Sequence, residues 1–259
     1  MKHLSIQGAN WAFSDEGAGK ALMLVHGFPL DRRLWSGVAA DLKEFRVITV
    51  DLPGFGQSTL GKGFTIESLA DGLATLVESP KLGPLTLAGL SMGGYIAEAF
   101  ASKYESSLDR LVLVDTKAEA DNPQQKQGRD KMIDMVRTGG SKAVADDMLG
   151  KMLSPETIRT SPQLVRELRN MMEAVPPKTI EIALAALRDR ADYVSVLQRL
   201  KVPVMIIVGK DDVIAPPSLA ETMQKAAAGS KLEVIPAAGH LAPLEQPNAV
   251  ADALRRFMA

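Results

Sequence analysis

The chain contains no cysteine in 259 residues and only three histidines, His3, His26 and His240. The lack of cysteine excludes disulfides, a thiol nucleophile and thiolate metal sites. The histidines are far apart in the sequence and no HExxH pattern occurs, so we expect no histidine-based metal site. If the protein uses a histidine as a general base, there are three candidates.

The chain also lacks an excess of charge of either sign. Its net charge is −1, from 30 Lys and Arg against 31 Asp and Glu, which gives no reason to expect nucleic acid or an anionic membrane surface as a partner. No stretch of about 18 apolar residues could span a bilayer, and the opening MKHLSIQGANW lacks the apolar region of a signal peptide. We therefore expect a cytoplasmic protein without a membrane partner.

Apolar runs that alternate with helical patterns predict a mostly parallel α/β sheet. The length and the 46% hydrophobic content suit one domain with an insertion. A hairpin is predicted over 4–13 with its turn at Gly8-Ala9-Asn10. The predicted strands that follow are 21–25, 46–50, 84–90, 108–114, 202–208 and 231–235. The predicted helices are 34–42, 65–78 with Thr65 as N-cap, 93–104, 217–227 and 248–258.

The stretch from 116 to 196 departs from this alternation, because it shows helical patterns and no convincing strand. We predict a core made of 1–115 and 197–259, with a helical cap over 116–196 at the carboxyl edge of the sheet. The cap holds six of the twelve methionines, and flexible thioethers suit an adaptable apolar pocket. Met132, Met135 and Met148 are therefore candidate substrate contacts, with helical core filler as the open alternative.

The segment Gly89-Leu90-Ser91-Met92-Gly93 lies where a predicted buried strand meets a predicted helix. A serine in such a sharp turn is held in a strained backbone conformation that exposes its hydroxyl, and the flanking glycines relieve the crowding. The pattern predicts that Ser91 is a nucleophile. An ordinary turn between a strand and a helix is the alternative if no partner residues exist.

A serine hydroxyl needs a neighbouring base, and that base needs an acid to orient it. His240 follows the predicted strand 231–235 in a loop after Gly239, and we predict that it is the base; a histidine that caps the final helix is the alternative. Asp212 follows the strand 202–208 and is the predicted acid. The spacing from Gly209 favours Asp212 over Asp211, which is assigned to the turn, and Asp115, which also ends a strand, is the alternative acid.

Acyl transfer also needs hydrogen-bond donors for a developing oxyanion. The backbone N–H of Met92, directly after the serine, is the expected first donor, and the N–H of Phe28 in the HGFP segment is the expected second. A simple proline-stabilised turn is the alternative reading of that segment. The nearby DLPGFGQS segment, 51–58, predicts a rigid turn at a strand exit rather than a catalytic element.

At this point the chain resembles the α/β-hydrolase superfamily almost from end to end. The motifs HGFPLDRRLW, DLPGFGQS, GLSMGG, GKDDVIAP and AGHLAPLEQP look like those of that family, in its order and spacing. The chain is most similar to bacterial cofactor-free carboxylesterases, enol-lactonases and perhydrolases. Ser91 occupies the nucleophile position, so the resemblance does not extend to the haloalkane dehalogenases and epoxide hydrolases, which use aspartate there.

The resemblance and the motifs together imply a serine hydrolase of short to medium acyl esters or lactones, acting on a small-molecule substrate without a cofactor. The superfamily also includes acyltransferases and receptors that keep the triad to bind a ligand. A ligand-binding or signalling protein with negligible turnover, or a perhydrolase or acyltransferase with the same triad, therefore remains an alternative. The presence of all five motifs favours the enzyme.

Overall fold

Eight strands form one sheet in the computed structural model, which describes residues 1–78 and 82–259. The spatial order of the strands is β1-β2-β4-β3-β5-β6-β7-β8. Only the pairs β1/β2 and β2/β4 are antiparallel, and the remaining pairs are parallel. The strands are β1 Lys2–Ile6, β2 Ala9–Glu16, β3 Ala21–Val25, β4 Arg46–Val50, β5 Leu85–Leu90, β6 Leu108–Val114, β7 Val204–Gly209 and β8 Lys231–Ile235.

Helices cover both faces of this sheet. They are α1 Ser36–Asp41, α2 Ile66–Glu78, α3 Met92–Tyr104, α4 Pro123–Met152, α5 Pro155–Thr160, α6 Pro162–Glu173, α7 Pro177–Asp189, α8 Val194–Arg199, α9 Pro217–Ala226, α10 Ala242–Glu245 and α11 Pro247–Met258, with short 3-10 turns at Arg32–Trp35 and Glu105–Ser107. This architecture agrees with the mostly parallel α/β fold expected from the sequence.

The central strands are apolar along their whole length because each face of the sheet packs against a different group of residues. In β3, Met23 and Val25 face the core beside α2 and α3, whereas Leu22 and Leu24 face the core beside α1 and α11. All five residues of this strand are buried. A parallel sheet covered on both faces requires continuous apolar runs of this kind.

The sequence-based boundaries agree with the structure within two residues in most elements. Thr65 caps α2 as expected, since its Oγ1 accepts a hydrogen bond from the Ser68 N–H at 3.0 Å. The first hairpin differs, because its turn lies at Gln7-Gly8 and not at 8–10. Both residues have positive φ, 50° and 77°, as the tight two-residue turn between twisted strands requires.

The segment between β6 and β7, in which every residue is described, contains the helices α4 to α8 and no strand. Gly140, with φ 65° and ψ −167°, interrupts α4, and proline begins α4, α5, α6 and α7. The division of the chain into a core and a cap stays a prediction, and we refer to α4–α8 as the helical segment.

A buried arginine ties the helical segment to the helix that follows Ser91. The Arg190 guanidinium stacks on the ring of Tyr95 in α3 with 4.0 Å between its central carbon and the ring centroid. It donates to the carbonyls of Leu187 and Glu119 at 2.7 and 2.8 Å and pairs with Asp121 at 2.9 Å. The residues before α4 and the junction between α7 and α8 are therefore held against α3.

Glu98 on α3 is a buried carboxyl close to this arginine. Its side chain is fully buried, and neither oxygen has a hydrogen-bond partner among the described residues. Burial raises the pKa of Glu98 well above its usual range, and the charge of Arg190 only partly opposes this shift. Folding therefore favours the protonated, neutral form of this group.

We predict that Glu98→Gln stabilises the protein increasingly as the pH rises. The folded protein holds the Glu98 proton more tightly than the unfolded chain does. The contribution of Glu98 to the free energy of unfolding therefore falls as the pH rises from the unfolded pKa, about 4.3, towards the raised folded pKa. The difference in free energy of unfolding between the variant and the wild type should grow by up to about 1.4 kcal/mol per pH unit in this range. Denaturant titrations at a series of pH values measure it.

Glu221→Gln is the control, because Glu221 lies exposed on α9. It shows what the same substitution does to the free energy of unfolding at a surface position, and the two differences are compared at each pH. A flat or shrinking difference for Glu98→Gln would contradict the prediction.

Candidate active site

Every sequence-predicted site residue except Met132, Met135 and Met148 follows a strand at the carboxyl edge of the sheet. β3 leads to Phe28, β5 to Ser91, β7 to Asp212 and β8 to His240. The strands β3, β5, β6, β7 and β8 are neighbours in that order, so their following loops gather at one edge. In open parallel sheets this edge is where sites are built.

Ser91 lies in a strained turn between β5 and α3. Its backbone has φ 52° and ψ −112°, a conformation that a non-glycine residue adopts only when its surroundings enforce it. A Cβ at Gly89 would collide with the carbonyl of Gly93, and a Cβ at Gly93 would collide with the carbonyl of Val25. The two glycines therefore permit the close backbone packing that creates the turn.

Ser91, His240 and Asp212 form a continuous hydrogen-bonded chain. The Ser91 Oγ lies 3.0 Å from the His240 Nε2, and the His240 Nδ1 lies 2.8 Å from the Asp212 Oδ2. His240 and Asp212 are buried, while Ser91 is half-buried. In this arrangement Nδ1 donates to the carboxylate, which leaves Nε2 free to accept the serine proton.

Backbone amides hold the other oxygen of Asp212. Its Oδ1 accepts hydrogen bonds from the N–H groups of Ile214 and Ala215 at 2.8 and 2.9 Å. Burial by itself raises the pKa of Asp212, but His240 and these two amides outweigh that effect and lower it below its usual range. The carboxylate is therefore held in its charged form, the form that orients an imidazole.

The two other candidate acids do not hydrogen-bond with His240. Asp211 is exposed, and its backbone N–H donates to the Ala238 carbonyl at 2.8 Å. Asp115 is buried, and its oxygens accept from the backbone N–H groups of Gly209 and Ala242. Of these three aspartates, Asp212 is the one whose carboxylate hydrogen-bonds with the histidine.

The two other histidines lie in different surroundings from His240. His3 is exposed on β1. His26 is fully buried, its Nε2 accepts the Leu52 N–H at 3.0 Å, and its Nδ1 donates to the Gly27 carbonyl at 2.9 Å. Burial lowers the pKa of His26, so it stays neutral and braces the loop that carries Phe28.

The two expected oxyanion donors are the N–H of Phe28, in the loop after β3, and the N–H of Met92, the first residue of α3. Among the described residues, neither the Phe28 N–H nor the Met92 N–H donates to a protein acceptor. A Cβ at Gly27 would lie 3.2 Å from the Ser91 Cβ and 2.7 Å from a methyl carbon of Leu90. The loop after β3 therefore approaches the serine closely because residue 27 has no side chain.

Sequence reasoning did not identify Glu245 or Thr116, which also hold the site. Glu245 accepts from the Gly239 N–H at 2.7 Å and from the Ser154 N–H at 2.8 Å, and so joins the His240 loop to the start of α5. The Thr116 Oγ1 donates to the Ser91 carbonyl at 2.9 Å. No local sequence signal marks these contacts, because each joins segments that are distant in the chain.

The three candidate pocket methionines all lie half-buried on α4. Met132 and Met148 pack against the apolar core. Their role in substrate binding stays a prediction.

Within residues 1–78 and 82–259, no three His, Asp or Glu side chains gather as potential metal ligands. Nor does any helix in this part of the chain combine the length and the apolar character that a membrane crossing needs.

The family model for the alpha/beta hydrolase fold matches residues 20–247. This chain belongs to the α/β-hydrolase family. The match spans all the site segments described above, and it confirms both the resemblance and the fold class that the motifs predicted.

This α/β hydrolase is similar to two further proteins over nearly its whole length. It is 31% identical over 255 residues to the AB hydrolase superfamily protein YisY of Bacillus subtilis, covering 94% of this chain and 93% of YisY. It is 38% identical to a thermophilic esterase from Thermogutta terrifontis, with a TM-score of 0.96 and coverage of 100% and 98%.

A third protein of similar structure supports the fold only, because its sequence identity is low. The enol-lactonase from Burkholderia xenovorans LB400 superposes with a TM-score of 0.92 at 24% identity and covers 99% of each chain.

We predict that Gly93→Ala destabilises the protein, because the added methyl group would collide with the carbonyl of Val25 and lie 2.8 Å from that of His26. Forcing an extra carbon into a packed site costs about 1–3 kcal/mol. Gly128→Ala is the matched control, since Gly128 also lies in a helix and its Cβ would meet nothing within 4 Å. It should be neutral or stabilising by about 0.5–1 kcal/mol. Equal unfolding free energies for the two variants in urea would refute the steric argument.

Proposed function

We propose that this α/β hydrolase cleaves carboxylic esters or lactones of short to medium acyl chain through an acyl-enzyme on Ser91. The observation that carries the proposal is the Ser91–His240–Asp212 chain, with its distances of 3.0 and 2.8 Å. The similarity to the Thermogutta terrifontis esterase over the whole chain supports ester hydrolysis as the reaction.

In the first half-reaction, the Ser91 Oγ attacks the substrate carbonyl carbon and its proton passes to the His240 Nε2. Asp212 stabilises the imidazolium that forms. In this proposal the Phe28 and Met92 N–H groups donate to the oxyanion that develops. When the tetrahedral intermediate collapses, the C–O bond to the leaving group breaks, and His240 gives its proton to the departing alkoxide.

In the second half-reaction, water attacks the acyl carbon and His240 accepts a proton from it. The bond between the acyl carbon and Ser91 Oγ then breaks, the proton returns to the serine, and the carboxylic acid leaves. In a lactone the leaving hydroxyl stays attached to the acyl chain, so the product is a single hydroxy acid. No step in this sequence needs a cofactor.

Replacing Ser91 by alanine tests the proposal most directly. We expect Ser91→Ala to lower kcat on a chromogenic acetyl or butyryl ester by about 10³-fold or more, because the acyl-enzyme can no longer form. A fluorophosphonate should label the wild type once, on Ser91, as read by peptide mass spectrometry. Near wild-type turnover in Ser91→Ala would end this mechanism, and labelling without turnover would favour a ligand-binding role.

The neighbouring aspartates supply a matched pair for the same test. Asp212→Asn should lower kcat by about 10⁴-fold, because an amide cannot hold the required imidazole tautomer. Asp211→Asn, one residue away and exposed, should leave kcat close to that of the wild type. Equal losses in both variants would show that the loop as a whole, and not the Asp212 carboxylate, is responsible.

We also propose that the helical segment selects the substrate, and that Met132, Met135 and Met148 line its apolar part. Flexible thioethers adapt to acyl chains of different length, and a pocket of ordinary ligand volume favours acyl groups of roughly two to eight carbons. Replacing these methionines by alanine should shift the preferred acyl length in a series of p-nitrophenyl esters. Met223→Ala, on α9 outside the helical segment, is the control. An unchanged acyl preference in all three variants would show that α4 does not determine specificity.

A further inference from the structure

We propose that Asp115 is a positioning residue, whose carboxylate holds the loop of the catalytic acid and the loop of the catalytic base in register. The inference rests on the proposed function, since it assigns a second aspartate to the same site. It differs from the sequence-based alternative in which Asp115 is itself the acid.

One carboxylate joins the two loops. The Asp115 Oδ1 accepts the Gly209 N–H at 2.7 Å, and its Oδ2 accepts the Ala242 N–H at 3.1 Å. Gly209 lies three residues before Asp212, and Ala242 lies two residues after His240. The distance between the acid and the base therefore depends on two hydrogen bonds from backbone N–H groups. Neither bond involves the side chain of Asp212 or of His240.

The backbone at this position is also unusual. Asp115 has φ 46°, in the left-handed region where aspartate and asparagine are enriched among non-glycine residues. Its N–H donates to the Ile207 carbonyl at 2.9 Å, and the next residue, Thr116, holds the Ser91 carbonyl. Residues 115 and 116 thus contact the segments that carry all three members of the proposed triad.

Electrostatics oppose a second buried carboxylate at this place. Asp115 is 1% exposed, and burial together with the charge of Asp212 raises its pKa well above the usual range. An uncharged residue would avoid this cost. What aspartate alone offers here is two acceptor oxygens on one short side chain, each facing a backbone N–H group of a different loop.

The test is Asp115→Asn, which keeps the size and the tolerance of a left-handed backbone but offers only one acceptor oxygen. One of the two N–H groups then faces an NH₂ group, so that loop is released. We expect kcat per active site, counted by burst titration, to fall by about 10²-fold, the loss that a misplacement of about 1 Å can cause. KM should stay within about twofold, because no substrate contact is removed.

Asp51→Asn is the matched control. Asp51 is also 1% exposed at the end of a strand, and its two oxygens accept the backbone N–H groups of Arg32 and Gln57, both at 2.9 Å. The segments it joins carry none of the three triad residues, although Arg32 follows the loop that carries Phe28. The expected result is a comparable drop in melting temperature with a much smaller loss of kcat per site than in Asp115→Asn.

Fluorophosphonate labelling separates this inference from the proposed function. A wild-type protein that is not labelled on Ser91 contradicts the proposed function itself. A labelled wild type together with an Asp115→Asn variant that is labelled equally fast contradicts only the positioning role. Labelling of Asp115→Asn that is much slower than labelling of Asp51→Asn supports it.

Three further outcomes would overturn the inference. One is an equal loss of kcat in Asp51→Asn, which would tie the loss to stability, and another is a loss confined to KM. If Asp115→Asn does not fold, Asp115→Gly is the second variant, because glycine adopts positive φ without strain. If neither variant folds, the carboxylate serves the fold as a whole, and a role specific to the site is ruled out.

Discussion

The close packing of backbone on backbone around residue 91 is the constraint on which the rest of the site depends. The first turn of α3 touches the carbonyls at the end of β3, and this approach leaves no room for a side chain at Gly93. The loop after β3 touches Ser91 in turn through Gly27. The strained φ of the serine and the close approach of the loop after β3 both follow from this packing.

The strand ends carry the same chemical group in different roles. Asp51, Asp115 and Asp212 follow β4, β6 and β7, and all three are buried. Asp51 and Asp115 give both oxygens to backbone amides, whereas Asp212 divides its oxygens between amides and His240. The loop-holding role proposed for Asp115 and the imidazole-orienting role proposed for Asp212 therefore rest on different hydrogen-bond partners. The chemical group and its burial are the same in both.

The helical segment is coupled to the site at two points. Arg190, between α7 and α8, joins the residues before α4 to Tyr95 of α3, about one turn from the serine. Glu245 joins the start of α5 to the residue before His240. A displacement of these helices would therefore be transmitted to Ser91 and to His240 through these contacts. The helical segment could in this way affect the chemistry that we propose.

Most of the fold could be predicted from the sequence, because its signals are local. Apolar residues identified the parallel strands, and the predicted limits of β3, β4, β6 and β8 are those observed. The glycine spacing around Ser91 identified the sharp turn before α3. The first hairpin was misplaced by about one residue, since the apolar pattern does not show which residues take positive φ.

The site was determined by the sequence only as a set of candidates. Asp115, Asp211 and Asp212 all follow apolar strands, and no local pattern distinguishes their partners. The tertiary structure brings Asp212 within 2.8 Å of His240 and turns Asp115 towards two amides. The sequence determines which residue types stand at the strand ends, because burial in a parallel sheet acts on each strand separately. Which of them meet depends on the packing of loops distant in the chain, a property that no local segment contains.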